Sequence, residues 1–263
     1  MRERVVRQPS RVGGAVGRYA PPFVLIVALI GGWEALVRQL RLPAWLLPPP
    51  SRIAVTFVDS LPLLSGHVAA TLRVTALGFA LALGVGFALA FLIDASPLLR
   101  RALYPLLVAS QTVPIVAIAP LLVVGLGFGV LPKVLVVALV TFFPIVVNTV
   151  DGLQATDRDM VRLLRAMNAS YWQLLRLLRI PAALPTIFSG VKIAITYSVI
   201  GAVFAEWIGA SAGLGVYIAR SVRAFRTDQV FVAALITSFI TIVLFGLTSV
   251  LEHWLIHWKG PQP

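Results

Sequence analysis

Residues 156–189 read TDRDMVRLLRAMNASYWQLLRLLRIPAALPTIFS, a basic stretch set between two strongly apolar ones. Thr156 followed by Asp159 approximates a capping box, and Asp157 adds negative charge where a helix N-terminus favours it. A short helix is expected from Met160 to Met167, with Val161, Leu164 and Met167 at helical spacing. Asn168 then interrupts the pattern. Asparagine tolerates the left-handed backbone region better than other side chains do, which suits a turn between two helices. The second helix, about Ser170 to Ile180, carries Gln173, Arg176 and Arg179 on one face and Leu174, Leu175 and Leu178 on another. Pro181 and Pro185 are expected to end it. Such a segment either lies on a lipid surface or docks its apolar side into a partner's groove. Leu174 and Leu175, beside Trp172, have no evident place of burial within their own chain.

The rest of the chain decides what that segment sits on. Of 263 residues, 59% are hydrophobic and only 12% charged. Soluble domains run nearer ~25% charged. A domain this small cannot hide such an apolar excess, so the chain is read as an all-α polytopic membrane protein. Spans are expected at about 20–37, 74–93, 103–126, 134–150, 191–208 and 231–251. Six crossings with short connections leave no room for a separate catalytic domain. Residues 1–19 form a basic tail, 20–258 the six-span region, 151–189 a polar loop within it, and 259–263 a C-terminal tail. The proline-rich stretch at residues 42–51 cannot continue a helix. Gly78, Ala82 and Gly86 put small residues on one face of the second span, a spacing that permits close helix approach. Pro105, Pro114 and Pro120 mark the third as a kinked span.

The formal net charge of +12 is a topology signal here, not a nucleic-acid footprint. Fourteen of the 22 basic residues fall in the tail, Arg100–Arg101, the 151–192 segment and Lys259, and eight fall on the other side. The bias favours both termini in the cytoplasm. With no cysteine, disulfides and thiolate chemistry are excluded. A phosphate loop needs Gly-Lys-Ser/Thr, and Lys133, Lys192 and Lys259 are followed by Val134, Ile193 and Gly260. This chain is therefore not expected to bind nucleotide itself.

The loop resembles the signature of permease subunits of binding-protein-dependent ABC importers of the type I fold. That signature is Glu-Ala-Ala, three residues, Gly, nine residues, then Ile-x-Leu-Pro. With Asn168 at the Gly position, the triplet falls on Arg162, Leu163 and Leu164, and the far end on Leu178, Arg179, Ile180 and Pro181. The run Asn168-Ala169-Ser170-Tyr171-Trp172-Gln173-Leu174 resembles the usual Gly-Ala-Ser-x-Trp-Gln-Leu. Two departures stand out, Arg162 for Glu and Asn168 for Gly. The resemblance covers about residues 71–258. It implies an inner-membrane importer subunit, working as a homodimer with two ATP-binding subunits that hold ATP and Mg, and with a substrate-binding protein. It also implies a coupling helix that docks on the ATP-binding subunit, here Arg162, Leu163, Leu164, Arg165, Ala166, Met167, Asn168, Ala169, Ser170, Tyr171, Trp172, Leu174, Leu175, Leu178 and Pro181. Residues 198–215, SVIGAVFAEWIGASAGLG, look like the nitrate/sulfonate/taurine group, and more narrowly like permeases for thiamine-precursor pyrimidines. The resemblance implies no catalytic, cofactor or metal residue in this chain.

Three features of the sequence bear on chemistry other than transport. Gly209-Ala210-Ser211-Ala212-Gly213 matches a hydrolase elbow pattern, but it follows a span instead of a strand. His253 and His257 have metal-ligand spacing without a further ligand cluster nearby. A standalone membrane enzyme or a channel is the alternative reading. Glu206, an ionisable group near a span end, must pair or face water. It either pairs with Arg220 or Arg223 at the outer interface, or marks the outer mouth of a substrate path. Gln111, Thr112 and Asn148 are further path candidates in proline-bent spans.

Overall fold

The computed structural model describes residues 11–257, with side chains from residue 20 onward. Residues 1–10 of the basic tail, Lys259 and the C-terminal tail lie outside the described residues. Every regular element among the described residues is helical: α1 Arg11–Gln39, α2 Pro50–Ala95, α3 Pro97–Ser110, α4 Ile115–Leu126, α5 Leu131–Gln154, α6 Arg158–Ala166, α7 Tyr171–Leu174, a π-helical turn Leu175–Arg179, α8 Ile180–Trp207, α9 Leu214–Arg223 and α10 Thr227–Leu255. Five helical stretches are long and apolar enough to cross a membrane, and α3 with α4, bent by 95°, makes a sixth if the pair is counted as one crossing. Large apolar side chains stand exposed along them, among them Phe23, Leu25, Phe239, Ile242 and Val250. Lipid is the solvent such faces require.

The chain divides into two units. The first comprises residues up to Ser60 together with Ser221–Val232. In it Trp33 packs on Phe231 with ring centroids 5.3 Å apart. Buried Asp228, in the first turn of α10, accepts a hydrogen bond from Thr56 Oγ1 at 3.0 Å and lies 3.5 Å from Arg52 Nε. The chain leaves helix at Gln39 and re-enters it at Pro50, where a proline costs no hydrogen bond.

The second unit comprises Leu61–Arg220 and the chain from Ala233 on. Its core is the α5–α8 pair, with α2 packed on α5. The small face of α2 is used as its spacing suggests. A Cβ at Gly78 would stand 2.5 Å from that of Val137, one at Gly86 3.0 Å from Ile145 Cγ2, and Ala82 is buried with Ile145 and Ala194. Gly190 of α8 meets Asn148 and the Pro144 carbonyl in the same way. α2 has 46 residues, more than the ~20 that a helix needs to cross a ~30 Å apolar layer.

Two expectations are corrected. The third span is no single kinked helix: it breaks at residues 111–114. Pro114 bars the helical conformation at Val113, and Thr112 turns back to donate to the Ala109 carbonyl at 2.7 Å. Within residues 151–189, α5 runs to Gln154 and α6 and α7 form where the two short helices are expected. Pro181 and Pro185 do not end the second loop helix. The π turn at 175–179 widens the backbone just before Pro181, and the helix continues to Trp207. In that register Pro181 stands in the first turn of α8, where its missing N–H and its ring are tolerated.

Candidate functional site

The loop folds as helix, turn, helix. Asp157, and not Thr156, caps α6: its carboxylate accepts from the Asp159 amide at 2.8 Å, while Thr156 Oγ1 donates to the Leu153 carbonyl. Asn168 has φ of 59°, the left-handed turn its side chain favours. Ser170 and Gln173 then cap each other, Gln173 N donating to Ser170 Oγ and Ser170 N to Gln173 Oε1. Gln173 therefore starts the second helix in place of decorating its basic face.

The apolar sides are divided differently from the expectation. Leu174 and Leu175 are only 4% and 5% exposed, with Leu175 packed against Leu153, Ala183 and Ile187. Their own chain does bury them, because the stripe they form faces back onto α5 and α8. The apolar groups left in solvent include Met160 at 49%, Leu163 at 57%, Met167 and Trp172 at 70% and Leu177 at 72%. Arg165, Ala166, Asn168, Ser170 and Tyr171 are exposed beside them, and Leu164, Ala169, Leu178 and Pro181 are half-buried. Arg162 pairs with Asp159 at 3.1 Å on the open surface, worth a few tenths of a kcal/mol at most.

A contact that sequence reasoning missed ties this element down. Arg179 donates to both oxygens of Asp94 at 2.6 and 2.7 Å, and to the Leu153 carbonyl at 3.0 Å. The Asp94 side chain is 2% exposed and that of Arg179 16%. The ends of α2 and α5 are thereby fixed to the base of the loop helices. A basic residue 85 positions from a lone acid carries no local signal of such a pair; the nearest hint is that Asp94 closes a long apolar run.

The four polar path candidates do not converge. Gln111 and Thr112 line an open cleft of about 620 Å³, with Phe143 and Tyr197 among its walls. Asn148 instead packs against Gly190 and donates to the Pro144 carbonyl at 2.8 Å. Glu206 is 1% exposed. Its partners are not Arg220 or Arg223 but Thr71 Oγ1 at 2.8 Å and the Gly215 amide at 2.8 Å. Thr71 Oγ1 in turn accepts from the Leu214 amide, and His67 Nδ1 lies 3.0 Å from the Gly213 nitrogen. Gly213 has φ of 134°, and a Cβ there would fall 2.1 Å from the Glu206 carboxyl carbon. The Gly-Ala-Ser-Ala-Gly run thus ends in a backbone turn wrapped on a carboxylate, which is no nucleophile elbow. Among the described residues no group of three or more His, Asp or Glu side chains is placed to hold a metal ion.

Residues 80–257 match the family described as the binding-protein-dependent transport system inner membrane component. The chain belongs to this family. It is 39% identical over 242 residues to the formylaminopyrimidine transport permease protein of Halalkalibacterium halodurans, covering 92% of this chain and 96% of that one. It is 37% identical to the riboflavin transport system permease protein of Chloroflexus aurantiacus, covering 90% and 89%. A putative aliphatic sulfonates transport permease protein of Bacillus subtilis is 29% identical over 98% of this chain and 93% of its own. Among solved structures, an amino acid ABC transporter with histidines aligns with a TM-score of 0.62 at 18% identity, covering 76% of this chain and 97% of that one. That likeness shows a shared fold. The chain is the multi-pass permease subunit of an ABC importer, which disfavours the standalone enzyme or channel.

Proposed function

We propose that two copies of this chain form the translocation path of an inner-membrane importer, with two ATP-binding subunits and a substrate-binding protein, and with both termini in the cytoplasm. The observation that carries this reading is the α6 element. It presents Leu163 and Met167, with Trp172 just beyond the turn, to solvent, and the helix that follows the turn is bolted to α2 and α5 through Arg179, Asp94 and the Leu153 carbonyl. A partner gripping the exposed side moves the spans with it. ATP and Mg, bound in the partner, supply the force for that movement; this chain's residues receive it. Closure of the paired ATP-binding subunits draws the two α6 elements together and biases the permease between inward- and outward-facing states.

The substrate class is a small nitrogen heterocycle of the pyrimidine type. Support comes from the relatives named for formylaminopyrimidine and riboflavin, both above the sulfonate permease in identity. Gln111 and Thr112, at the α3–α4 break, join Ser110 and Tyr197 as polar groups lining the cleft that such a ring would pass. Uptake of labelled formylaminopyrimidine by cells expressing the whole transporter tests this. Saturable, ATP-dependent uptake that fails when the permease is deleted supports it; uptake of taurine or an alkanesulfonate alone rejects the heterocycle.

A further inference from the structure

The opposite side of α6 from Leu163 carries a different chemistry. Arg158, Val161, Arg162 and Arg165 are spaced along one face, and that face lines a concave cavity of about 490 Å³. Arg100 at the start of α3 and Arg179 complete a ring of five guanidinium groups around it. No carboxylate is among the lining residues. Two of the five charges are already paired, Arg179 with buried Asp94 and Arg162 with Asp159. Arg100, Arg158 and Arg165 make no ion pair among the described residues. Like charges gathered round one hollow repel unless something negative is shared between them.

A second, independent observation points the same way. Gln154, at the last turn of α5, also lines the cavity, and its Nε2 is buried without a hydrogen-bond partner. Buried donors are normally satisfied, and an orphan amide beside several guanidinium groups matches an acceptor-rich anion. A group with several anionic oxygens takes bidentate guanidinium donors and an amide N–H at once.

We propose that this cavity binds a phosphate group, held by Arg100, Arg158 and Arg165 with Gln154 Nε2. The group comes either from free inorganic phosphate or from an anionic phospholipid headgroup. Occupancy joins α6 to α3 and α5 on the face away from the one assigned to the ATP-binding subunit.

The test uses the full-length permease and two probes. Inorganic phosphate is titrated against chloride at matched ionic strength while thermal unfolding is followed. In parallel, native mass spectrometry counts lipid retained from mixed phosphatidylglycerol–phosphatidylcholine nanodiscs. The double variant Arg100→Gln/Arg158→Gln is compared with Arg101→Gln/Arg176→Gln, which loses equal charge outside the cavity. A phosphate-induced rise in Tm, weakened at least tenfold in apparent affinity only by the first pair, identifies free phosphate. Phosphatidylglycerol retention lost only in the first pair, without a phosphate effect, identifies the headgroup. Gln154→Leu leaves every charge in place and is expected to weaken the same signal, which keeps the test decisive if the arginine pair folds poorly. Equal loss in both arginine pairs, or no response to either probe, overturns the site. So does release of the ATP-binding subunit by Arg100→Gln/Arg158→Gln with both phosphate probes silent, which would assign the ring to an acidic protein segment.

Discussion

Asp94→Ala is the change that most directly separates a welded loop from a loosely hung one. It leaves the Arg179 guanidinium, 16% exposed, without the two charge-assisted bonds it makes at 2.6 and 2.7 Å. Removing one partner of a buried ion pair costs ~3–5 kcal/mol, because the remaining charge is stranded. At 1.4 kcal/mol per decade, that is a factor of at least ~100 in the population of the fastened conformation. Amides of α6 and α7 should therefore exchange hydrogen at least ~100-fold faster in the variant, while those in the middle of α5 keep their protection. Replacing the whole pair, Asp94→Leu with Arg179→Leu, removes the stranded charge and should restore most of it, since apolar pairs often substitute for buried ionic ones. Unchanged exchange across residues 158–174 in Asp94→Ala would refute the fastening. Equal loss in the double variant would show that the charge was not the cause.

Three further outcomes are expected. Glu206→Gln presents an amide N–H₂ to one of the two donors now served by the carboxylate, leaving a buried donor unmet at ~1–3 kcal/mol. Gly213→Ala, which drives a Cβ into that carboxylate from a φ of 134°, should lower the Tm of the purified permease further; wild-type melting in both would contradict the network. Asn168→Gly should be neutral or slightly stabilising at φ 59°, whereas Asn168→Val should cost ~1–2 kcal/mol, read as faster exchange in α6. Cysteines at positions 8 and 222, introduced as Gln8→Cys and Val222→Cys, should label from opposite sides of intact cells, and labelling of both from outside would overturn the six-crossing topology.

The parts of this structure legible in the sequence are those that depend on one residue's own preferences. Asn168 announces its turn because few side chains accept a positive φ, and Gly78 and Gly86 announce a close approach because nothing else fits 2.5–3.0 Å from a neighbour. Where a partner decides the outcome, the local pattern is silent. The stripe Leu174–Leu175 shows an apolar side but not that Leu153, Ala183 and Ile187 lie against it. Pro181 reads as a terminator until the π turn before it is known. Glu206 reads as an exposed or path-lining acid, because its partner Thr71 stands 135 residues away and the Gly213–Gly215 turn only becomes a cradle once folded.

The central claim is that an ATP-binding subunit grips α6 by its exposed apolar side. Leu163→Asp with Met167→Asp tests it through the affinity of the purified permease for that subunit. Each of these side chains, if buried by the partner, contributes ~1.5–3 kcal/mol of transfer free energy, and an unpaired aspartate adds a desolvation penalty. Binding should weaken at least ~100-fold while the permease inserts in normal yield, since neither residue touches the core of the spans. Undiminished affinity in the double variant would contradict the account.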